Sequence, residues 1–478
     1  MSSTVQTSAN RPSDRERFVY FETFGCQMNV YDTERMMETL SGAGYASTDD
    51  VTLADLVVLN TCSVREKSEH KMDSRLGKLR RLKEHNPELV LAVSCCVAQQ
   101  EGDRLLKRVP HLDLVIGPDQ IGALPELVGG VRAESARKAA IDQIHRKQYE
   151  FIKPLPPNDG RVTSFVTVMK GCNKFCSFCI VPTTRGREVS KPSDEVVEEV
   201  QMLVDAGVRE VTLLGQNVNS YGRDKRGADV DFAGLLRKVH GVEGLHRIRF
   251  TTSHPMDCND SLIEAFGDLP RLMPWLHLPV QSGSERVLRM MRRRTVITEY
   301  EERIARLREL RPDITMSTDI IVGFPGETDE DFELTMQLLD RVRYSTIYAF
   351  AYSERPGTAA ARITDDVPRT VKKERLNRLL QLQNAITREW MDAHAGQRVE
   401  VLFEGMSTMQ AKGASSSALA ARDPLGPPQL MGRTQHNVKV NVVATEPGAL
   451  FKWPGKLATV EISDVKAHSL IGVDPVFV

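Results

Sequence analysis

The sequence predicts an α/β protein in three parts: an N-terminal doubly wound parallel-sheet domain, a central partial (βα)6 barrel of the TIM type, and a small C-terminal antiparallel β-barrel. Three observations carry this expectation. Residues 18 to about 130 alternate short apolar runs with helix-like polar stretches, and the alternation resumes at 161, as it does when parallel strands are joined by crossover helices. From about 396 the chain changes to apolar/polar alternation, the pattern of half-buried antiparallel strands. The 478 residues, at roughly 150 per domain, leave room for about three domains.

Composition narrows the function classes. Hydrophobic residues make up 41% and charged residues 27%, ordinary for a folded chain and wrong for a disordered or collagen-like one. No apolar run approaches the roughly 20 residues that span a bilayer. Net charge is −1, from 63 basic and 64 acidic residues, so no global basic field draws in nucleic acid and any RNA contact must come from local patches. Eight cysteines are too sparse for a disulfide scaffold. No secretory signal is evident, so a cytoplasmic chain with reduced thiols is expected. Clustered cysteines then point to metal or redox chemistry.

The elements follow in order. Residues 1–16 are polar and aperiodic and read as a disordered tail; Asp14 and Glu16 argue against a mitochondrial presequence. Strands are expected at FVYFETFG (18–25), DLVVLNT (55–61), LVLAVS (89–94) and LDLVIG (112–117). The stretch 131–160 looks irregular and ends in KPLPPNDG, a linker signal. Six further strands are expected at 162–169, 209–215, 246–252, 275–280, 315–322 and 346–352, two short of a closed eight-stranded barrel. In SDEVVEEVQMLVDAG, Ser193 is placed to cap a helix, with Asp194 and Glu195 in its first turn. Residues 370–395 read as a helix leading out of the barrel. QRVEVLFEG, HNVKVNVVA and LATVEISDV supply the C-terminal strands, with a Ser/Ala/Gly/Pro-rich loop at 407–432.

The cysteines carry the chemistry. Cys172, Cys176 and Cys179 form C-x3-C-x2-C directly after the first barrel strand, where such barrels place their active sites. Three thiolates hold three irons of a [4Fe–4S] cube and leave the fourth open to a small ligand. The alternative, a structural zinc site, wants four ligands, and no His or fourth Cys lies nearby in sequence. Cys26, Cys62 and Cys96, singly, read as buried core thiols. Together they share a position at or just past the ends of parallel strands, where ligands bind, so they form a second candidate triad. Cys95 is expected to point elsewhere, and Cys258 is assigned nothing.

At these residues the chain resembles the radical S-adenosylmethionine (SAM) methylthiotransferases. The C-x3-C-x2-C with Phe178 before its last cysteine matches the radical SAM signature, and the Cys26/Cys62/Cys96 set matches that family's auxiliary-cluster domain. The stretches TFGCQMNVYDTE, LNTCSVREKSEHK, MKGCNKFCSFCIVPTTRGREVS, LLGQNVNSYG, RFTTSHP, HLPVQSGS and IVGFPGETDEDF resemble the subgroup of tRNA-2-methylthio-N6-dimethylallyladenosine synthases (MiaB type). Ribosomal-protein methylthiotransferases carry a first-cysteine context closer to GCPKN, and threonylcarbamoyladenosine enzymes one closer to GCKVN. The chain departs from the family where Ser94-Cys95-Cys96 replaces Gly-Gly-Cys; Cys96 precedes Val97-Ala98 as the family ligand does, so it is the expected ligand.

The resemblance implies an auxiliary-cluster domain over 17–133, a linker over 134–157, a radical SAM core over 158–390 and a TRAM RNA-binding domain over 393–474. It implies two [4Fe–4S] clusters and two SAM per turnover. One SAM yields methionine and a 5′-deoxyadenosyl radical that attacks adenine C2; the other supplies a methyl group, and the auxiliary cluster supplies sulfur. The C2–H is not acidic, so no side-chain base can open it and the cofactor carries that step. Methylthiolation of threonylcarbamoyladenosine tRNA or of a ribosomal protein stands as the alternative, and a non-catalytic iron–sulfur RNA-binding protein as a remote one. SAM contacts are expected from Phe178 near the adenine, Gly215-Gln216-Asn217 for the amino group, and Gln281 and Asp319 for the ribose or other polar atoms; a plain core aromatic is the other reading of Phe178. The expected partners are a tRNA anticodon stem-loop, an electron donor such as a flavodoxin or ferredoxin, and a sulfur-delivery protein, with no membrane and a monomeric chain. Basic runs at Lys67–Lys83 and at Arg292-Arg293-Arg294 could meet RNA, but a solvated helix face is the better reading of any one of them, and the C-terminal barrel is the better RNA candidate.

Overall fold

The computed structural model describes residues 16–63, 66–134, 136–145, 148–224, 228–407, 429–444 and 446–478. Most of the expected tail, most of the 407–432 loop and the side chain of Lys67 lie outside the described residues. The chain divides into two compact units, 1–144 and 145–478.

The first unit is one parallel sheet. Its strands are β1 (Arg17–Phe24), β2 (Tyr45–Ser47), β3 (Leu56–Thr61), β4 (Val90–Cys95), β5 (Leu114–Ile116) and β6 (Lys138–Ala140), in the order β2-β1-β3-β4-β5-β6. The helices are α1 (Gln27–Gly42), α2 (Glu66–His85), α3 (Cys96–Glu101), α4 (Asp103–Arg108) and α5 (Leu124–Glu134). LVVLNT and VLAVSC are buried along their whole length, as central parallel strands covered on both faces must be. Val57, Leu59, Leu91 and Val93 pack with Met72 and Leu76 of α2 and Leu105 of α4. On the other face Asn60 donates to the Asn29 carbonyl of α1 at 2.7 Å. The doubly wound expectation therefore holds. Two strands had no sequence signal. β2 and β6 are three residues each, too short to show a period, and β6 lies in the stretch expected to be linker, so the sheet runs past residue 133 to Ala140.

In the second unit all six expected strands form. β7 (Thr163–Thr167), β10 (Glu210–Leu214) and β11 (Arg247–Phe250) make one parallel sheet, and β12 (Trp275–His277), β13 (Thr315–Val322) and β14 (Thr346–Ala351) another. A bridge from Ile248 to Leu272 links β11 to the approach of β12. A ribbon of β8 (Met169–Lys170) and β9 (Val189–Ser190) flanks the cysteine loop. The helices are α6 (Val181–Thr184), α7 (Ser193–Asp205), α8 (Phe232–His240), α9 (Asp260–Asp268), α10 (Glu285–Met290), α11 (Ile297–Leu310), α12 (Asp329–Val342) and α13 (Arg369–Asp392). Asp231, Asn259, Ser284 and Thr328 cap α8, α9, α10 and α12 through their side chains. Ser193 does not cap α7 as expected. Pro192 takes the cap position, its fixed φ suiting a helix start, and the Ser193 hydroxyl turns to Asp229.

β15 (Arg398–Met406), β16 (Gln429–Thr434), β17 (Lys439–Val443), β18 (Leu457–Val465) and β19 (Ser469–Phe477) close a barrel in the order β15-β16-β17-β19-β18. It is antiparallel except for the β17–β19 pair. Alternating residues such as Val401, Phe403, Val440, Val442, Val460 and Ile462 fill its interior. The barrel is tied to the core by two buried guanidinium groups on one face of β11. Arg247 donates to the Arg433 carbonyl at 2.7 Å and pairs with Glu400 at 2.9 Å. Arg249 donates to the carbonyls of Gln435 and Thr434 at 2.7 and 2.8 Å and pairs with Glu210 at 2.9 Å. Removing the barrel would take away Glu400 and every carbonyl acceptor of the two groups, leaving both buried charges to the single carboxylate of Glu210. Breaking one such buried pair is costly: Arg249→Ala is expected to lower the unfolding free energy by about 3–5 kcal/mol, read from denaturant midpoints, and a loss below about 1 kcal/mol would contradict the tie.

Candidate functional site

The second unit holds its cysteine loop from every side. Gly171 sits at φ +77°, and a side chain there would run into the carbonyls of Arg187 and Gly186; its N–H donates to Gln216 Oε1. Cys172 N–H reaches the Gly186 carbonyl at 3.1 Å. Asn173 and the buried Glu188 exchange hydrogen bonds at 3.1 and 3.4 Å. Lys174 Nζ lies 2.7 Å from Asp257. Ser177 binds the carbonyls of Met290 and Met291, both at 2.9 Å. Cys179 N–H closes on the Cys176 carbonyl at 3.1 Å. A loop tethered at each step is preorganised, and its thiols are close enough to influence one another's ionisation. Burial pushes the Cys172 and Cys179 thiols up to about 12, the neighbouring sulfurs adding to it. Arg293 Nη1 stands 3.6 Å from Cys176 Sγ. Such thiols ionise when a metal centre supplies the positive charge they lack. Among the described residues no three His, Cys, Asp or Glu side chains form a ligand set for a metal ion; a cube, by contrast, takes each thiolate on a separate iron.

The expected SAM residues fall into two groups. At the end of β10, the Gly215 carbonyl accepts from Thr252, Gln216 meets the cysteine loop, and Asn217 donates to Asp257 at 2.8 Å. Gln216 Nε2, Asn217 Oδ1, Ser253 Oγ and Arg293 Nε are buried without a hydrogen-bond partner, so polar atoms await a ligand here. Beyond β12, Gln281 N–H donates to the Asp319 carbonyl at 2.9 Å, and Asp319 Oδ1 lies 3.5 Å from His277. Phe178 is half-buried and packs against the main hydrophobic core of the second unit. Phe175, Thr252, Gln281 and Arg292 are four of the eight non-glycine residues with positive φ among the described residues, and strain of this kind gathers at functional sites.

The first unit brings Cys26, Cys62 and Cys96 to one sheet edge. Phe24 pairs with Thr61, and Thr61 with Cys95, so each cysteine follows the last rung of its strand. The strand order reverses at β1, which puts Cys26 and Cys62 on either side of the switch point, the ligand crevice of doubly wound sheets. A Cβ on Gly25 would clash with Asn29 and stand 3.0 Å from Cys62 Cβ. Cys26 takes the N-cap position of α1, its thiol donating to Asn29 Oδ1 at 3.4 Å. Cys95 is different: its thiol donates to Asp32 at 3.3 Å, and its backbone sits at φ 71°, ψ −140°. Thr61, Ser63 and Ser94 hydroxyls around these ends are buried without a partner.

Comparison with known proteins settles the family. The model of uncharacterized protein family UPF0004 matches residues 18–117, and that of the radical SAM superfamily residues 166–339. Proteins named tRNA-2-methylthio-N(6)-dimethylallyladenosine synthase are similar over most of the chain. The one from Syntrophotalea carbinolica is 48% identical, covering 88% of this chain and 92% of that protein. The one from Geobacter metallireducens is 47% identical over 97% of this chain and 99% of its own. The one from Myxococcus xanthus is 48% identical over 95% and 93%. The chain belongs to the tRNA-2-methylthio-N6-dimethylallyladenosine synthase family. Solved structures agree on the fold alone: the radical SAM methyltransferase TsrM from Kitasatospora setae aligns with TM-score 0.53 at 12% identity over 72% of this chain and 77% of that one. The cobalamin-dependent SAM radical enzyme OxsB gives 0.52 at 11%, over 78% and 56%.

Radical SAM membership brings a [4Fe–4S] cluster and SAM, and the residues present fit both: three converging thiols for the first, orphaned buried polar atoms beside them for the second. Two residues of the site had no readable sequence signal. Asp257, fully buried, gathers Lys174, Arg223 and Asn217, yet stands alone in HPMDC. Arg293 looked like one of a basic run, whereas Met291, Arg293 and Thr295 are buried and Arg292 and Arg294 exposed; that alternation was the available clue. The strain at Cys95, where the resemblance leads to an expectation of glycine, gives a test. Cys95→Gly is expected to be more stable than Cys95→Ala by about 1–2 kcal/mol, reversing the usual order of the two residues. An alanine variant at least as stable as the glycine one would contradict it.

Proposed function

We propose that this chain catalyses radical methylthiolation at C2 of N6-dimethylallyladenosine 37 in tRNA, giving 2-methylthio-N6-dimethylallyladenosine. The observation that carries it is the tethered three-thiol loop at the strand ends of a chain whose relatives, over nearly their whole length, bear that activity in their names. Those names favour neither threonylcarbamoyladenosine nor a ribosomal protein. When bound, a reduced [4Fe–4S] cluster with SAM supplies the radical that takes hydrogen from C2, an auxiliary cluster the sulfur, and a second SAM the methyl group.

The chain's own residues hold and orient. Cys172, Cys176 and Cys179 hold one cluster and leave an iron for the SAM amino and carboxylate groups. Asn217 Oδ1 and Gln216 Nε2, at the end of β10 with Gly215, offer an acceptor and a donor to those groups. Asp257 fixes this edge by binding Lys174 of the loop and Asn217 of the strand end at once. Gln281 and Asp319 offer polar contacts to the ribose, and Phe178 borders the adenine from the core. Cys26, Cys62 and Cys96 hold the second cluster, with Cys95 kept out by Asp32. The six parallel strands form a partial TIM-like barrel as the radical SAM core (158–390), behind an auxiliary-cluster domain from 17 and a linker ending near 157. The closed C-terminal barrel acts as a TRAM domain (393–474) that presents strands to tRNA. An external electron donor such as flavodoxin or ferredoxin and a sulfur-delivery protein serve a cytoplasmic monomer; no helix among the described residues is long and apolar enough to cross a membrane.

Two triads mean about eight irons per chain after anaerobic reconstitution. Replacing Cys26, Cys62 and Cys96 with alanine is expected to leave about four irons and 5′-deoxyadenosine formation, without methylthio product. Unchanged iron content, or methylthiolation by that variant with no added sulfur source, would overturn the assignment. Cys96→Ala alone should disturb the cluster, and Cys95→Ala should not.

A further inference from the structure

A cavity of about 700 Å³ opens beside the cysteine loop, lined by Lys174, Phe175, Met256, Arg289, Arg292 and Arg294 among others. Its volume suits a bound ligand, and its wall is cationic, with no acidic residue among the described residues that line it. The cations differ in what they have left to offer. Lys174 is neutralised by Asp257, Arg289 lies 3.9 Å from Glu285, and Arg293, in the same wall, is buried with a hydrogen bond to the Pro279 carbonyl at 2.5 Å. Arg292 and Arg294 are exposed, and neither has an acidic partner among the described residues. Buried Arg293 leaves Nε without a partner in this wall. Phe175 belongs to the cysteine loop itself. It is 38% exposed at a strained φ of +51°, with the Arg187 guanidinium 4.1 Å from its ring centroid.

We infer that this cavity docks unpaired RNA flanking the reacting adenosine, Arg292 and Arg294 taking backbone phosphates and Phe175 stacking a neighbouring base. The inference rests on the tRNA reading above. A base that must reach the cysteine loop brings its flanking phosphates with it, since they are one chain. Guanidinium forks match phosphate, and exposed aromatics beside cationic grooves are how proteins hold single strands without reading sequence. The two uncompensated arginines on a wall free of carboxylates are therefore where the incoming backbone meets the protein.

The test uses the full-length reconstituted protein and an isopentenylated anticodon stem-loop, with Kd measured from 50 to 200 mM salt. R292Q/R294Q is expected to weaken binding tenfold or more and to flatten the slope of log affinity against log salt by about 1.4, two single-strand phosphate contacts. Phe175→Ala is expected to weaken binding about tenfold with the slope unchanged. R237Q/R306Q removes two cations that are paired to Asp268 and Asp260 and controls for net charge; its effect should be much smaller. Equal losses in control and test variants, or an unaltered slope, would overturn the inference alone if the wild-type protein binds and methylthiolates the RNA. Failure of the wild-type protein to bind would overturn the reading beneath it as well. A fall in SAM affinity with RNA binding intact would assign the cavity to the cofactor and overturn the proposal.

Discussion

Parallel pairing makes strands end on a common edge, and the chemistry of this chain depends on that edge. In the first unit the register Phe24–Thr61–Cys95 means that cysteines 36 and 34 residues apart leave their strands at neighbouring rungs. In the second, β7, β10 and β11 run parallel in register and deliver the cysteine loop, Gln216-Asn217 and the His254–Asp257 turn to the same end. Antiparallel pairing would scatter them over two edges. In the first unit, helices on both faces bury β3 and β4 along their whole length, so backbone pairing sets where the side chains at their ends emerge.

What the edge brings together still has to be held still, and buried charge does much of that holding. Asp257 binds a residue of the cysteine loop, a strand end and the more exposed Arg223; a carboxylate with no exposed side-chain surface tolerates this site because three donors surround it. Lys191 and Glu199 pair at 2.5 Å behind the β8–β9 ribbon, and Arg375 of α13 pairs with Glu327 at 2.8 Å just before α12. Arg247 and Arg249 use the same device to seat the C-terminal barrel. Each such group is costly when one partner is removed, which binds barrel, core and loop into one cooperative unit. His254, held down to about 2 by burial beside Arg293 and Lys174, remains neutral and adds no charge to an already cationic wall.

Much of this was legible in residues 18–130 and 161–352, because fully buried strands such as LVVLNT and VLAVSC are apolar enough to stand out. The C-x3-C-x2-C spacing singled out Cys172, Cys176 and Cys179, and strand-end position singled out Cys26, Cys62 and Cys96. The misses have local causes. β2, β6 and β16 are three to six residues long and carry alanine, serine, glycine or lysine rather than a β-branched run; β19, nine residues long and equally unexpected, has its alternation broken by Gly472, Asp474 and Pro475. Ser193 lost its cap role to a neighbouring proline. Asp257 and Arg293 act through tertiary contacts to residues 83 and 117 positions away, and no local period announces such partners. Sequence context already favoured Cys96 over Cys95, and backbone geometry gives the physical reason: Cys95 lies strained against Asp32, whereas Cys96 begins α3.

The central claim is that this chain finishes the modification of an isopentenylated adenosine next to the anticodon. Nucleoside mass spectrometry of tRNA from cells lacking the gene tests it most directly. The 2-methylthio group is expected to vanish while N6-dimethylallyladenosine accumulates in its place, with restoration by the wild-type chain and not by Cys172→Ala. Unchanged 2-methylthio-N6-dimethylallyladenosine, or a loss confined to threonylcarbamoyladenosine, would contradict the account.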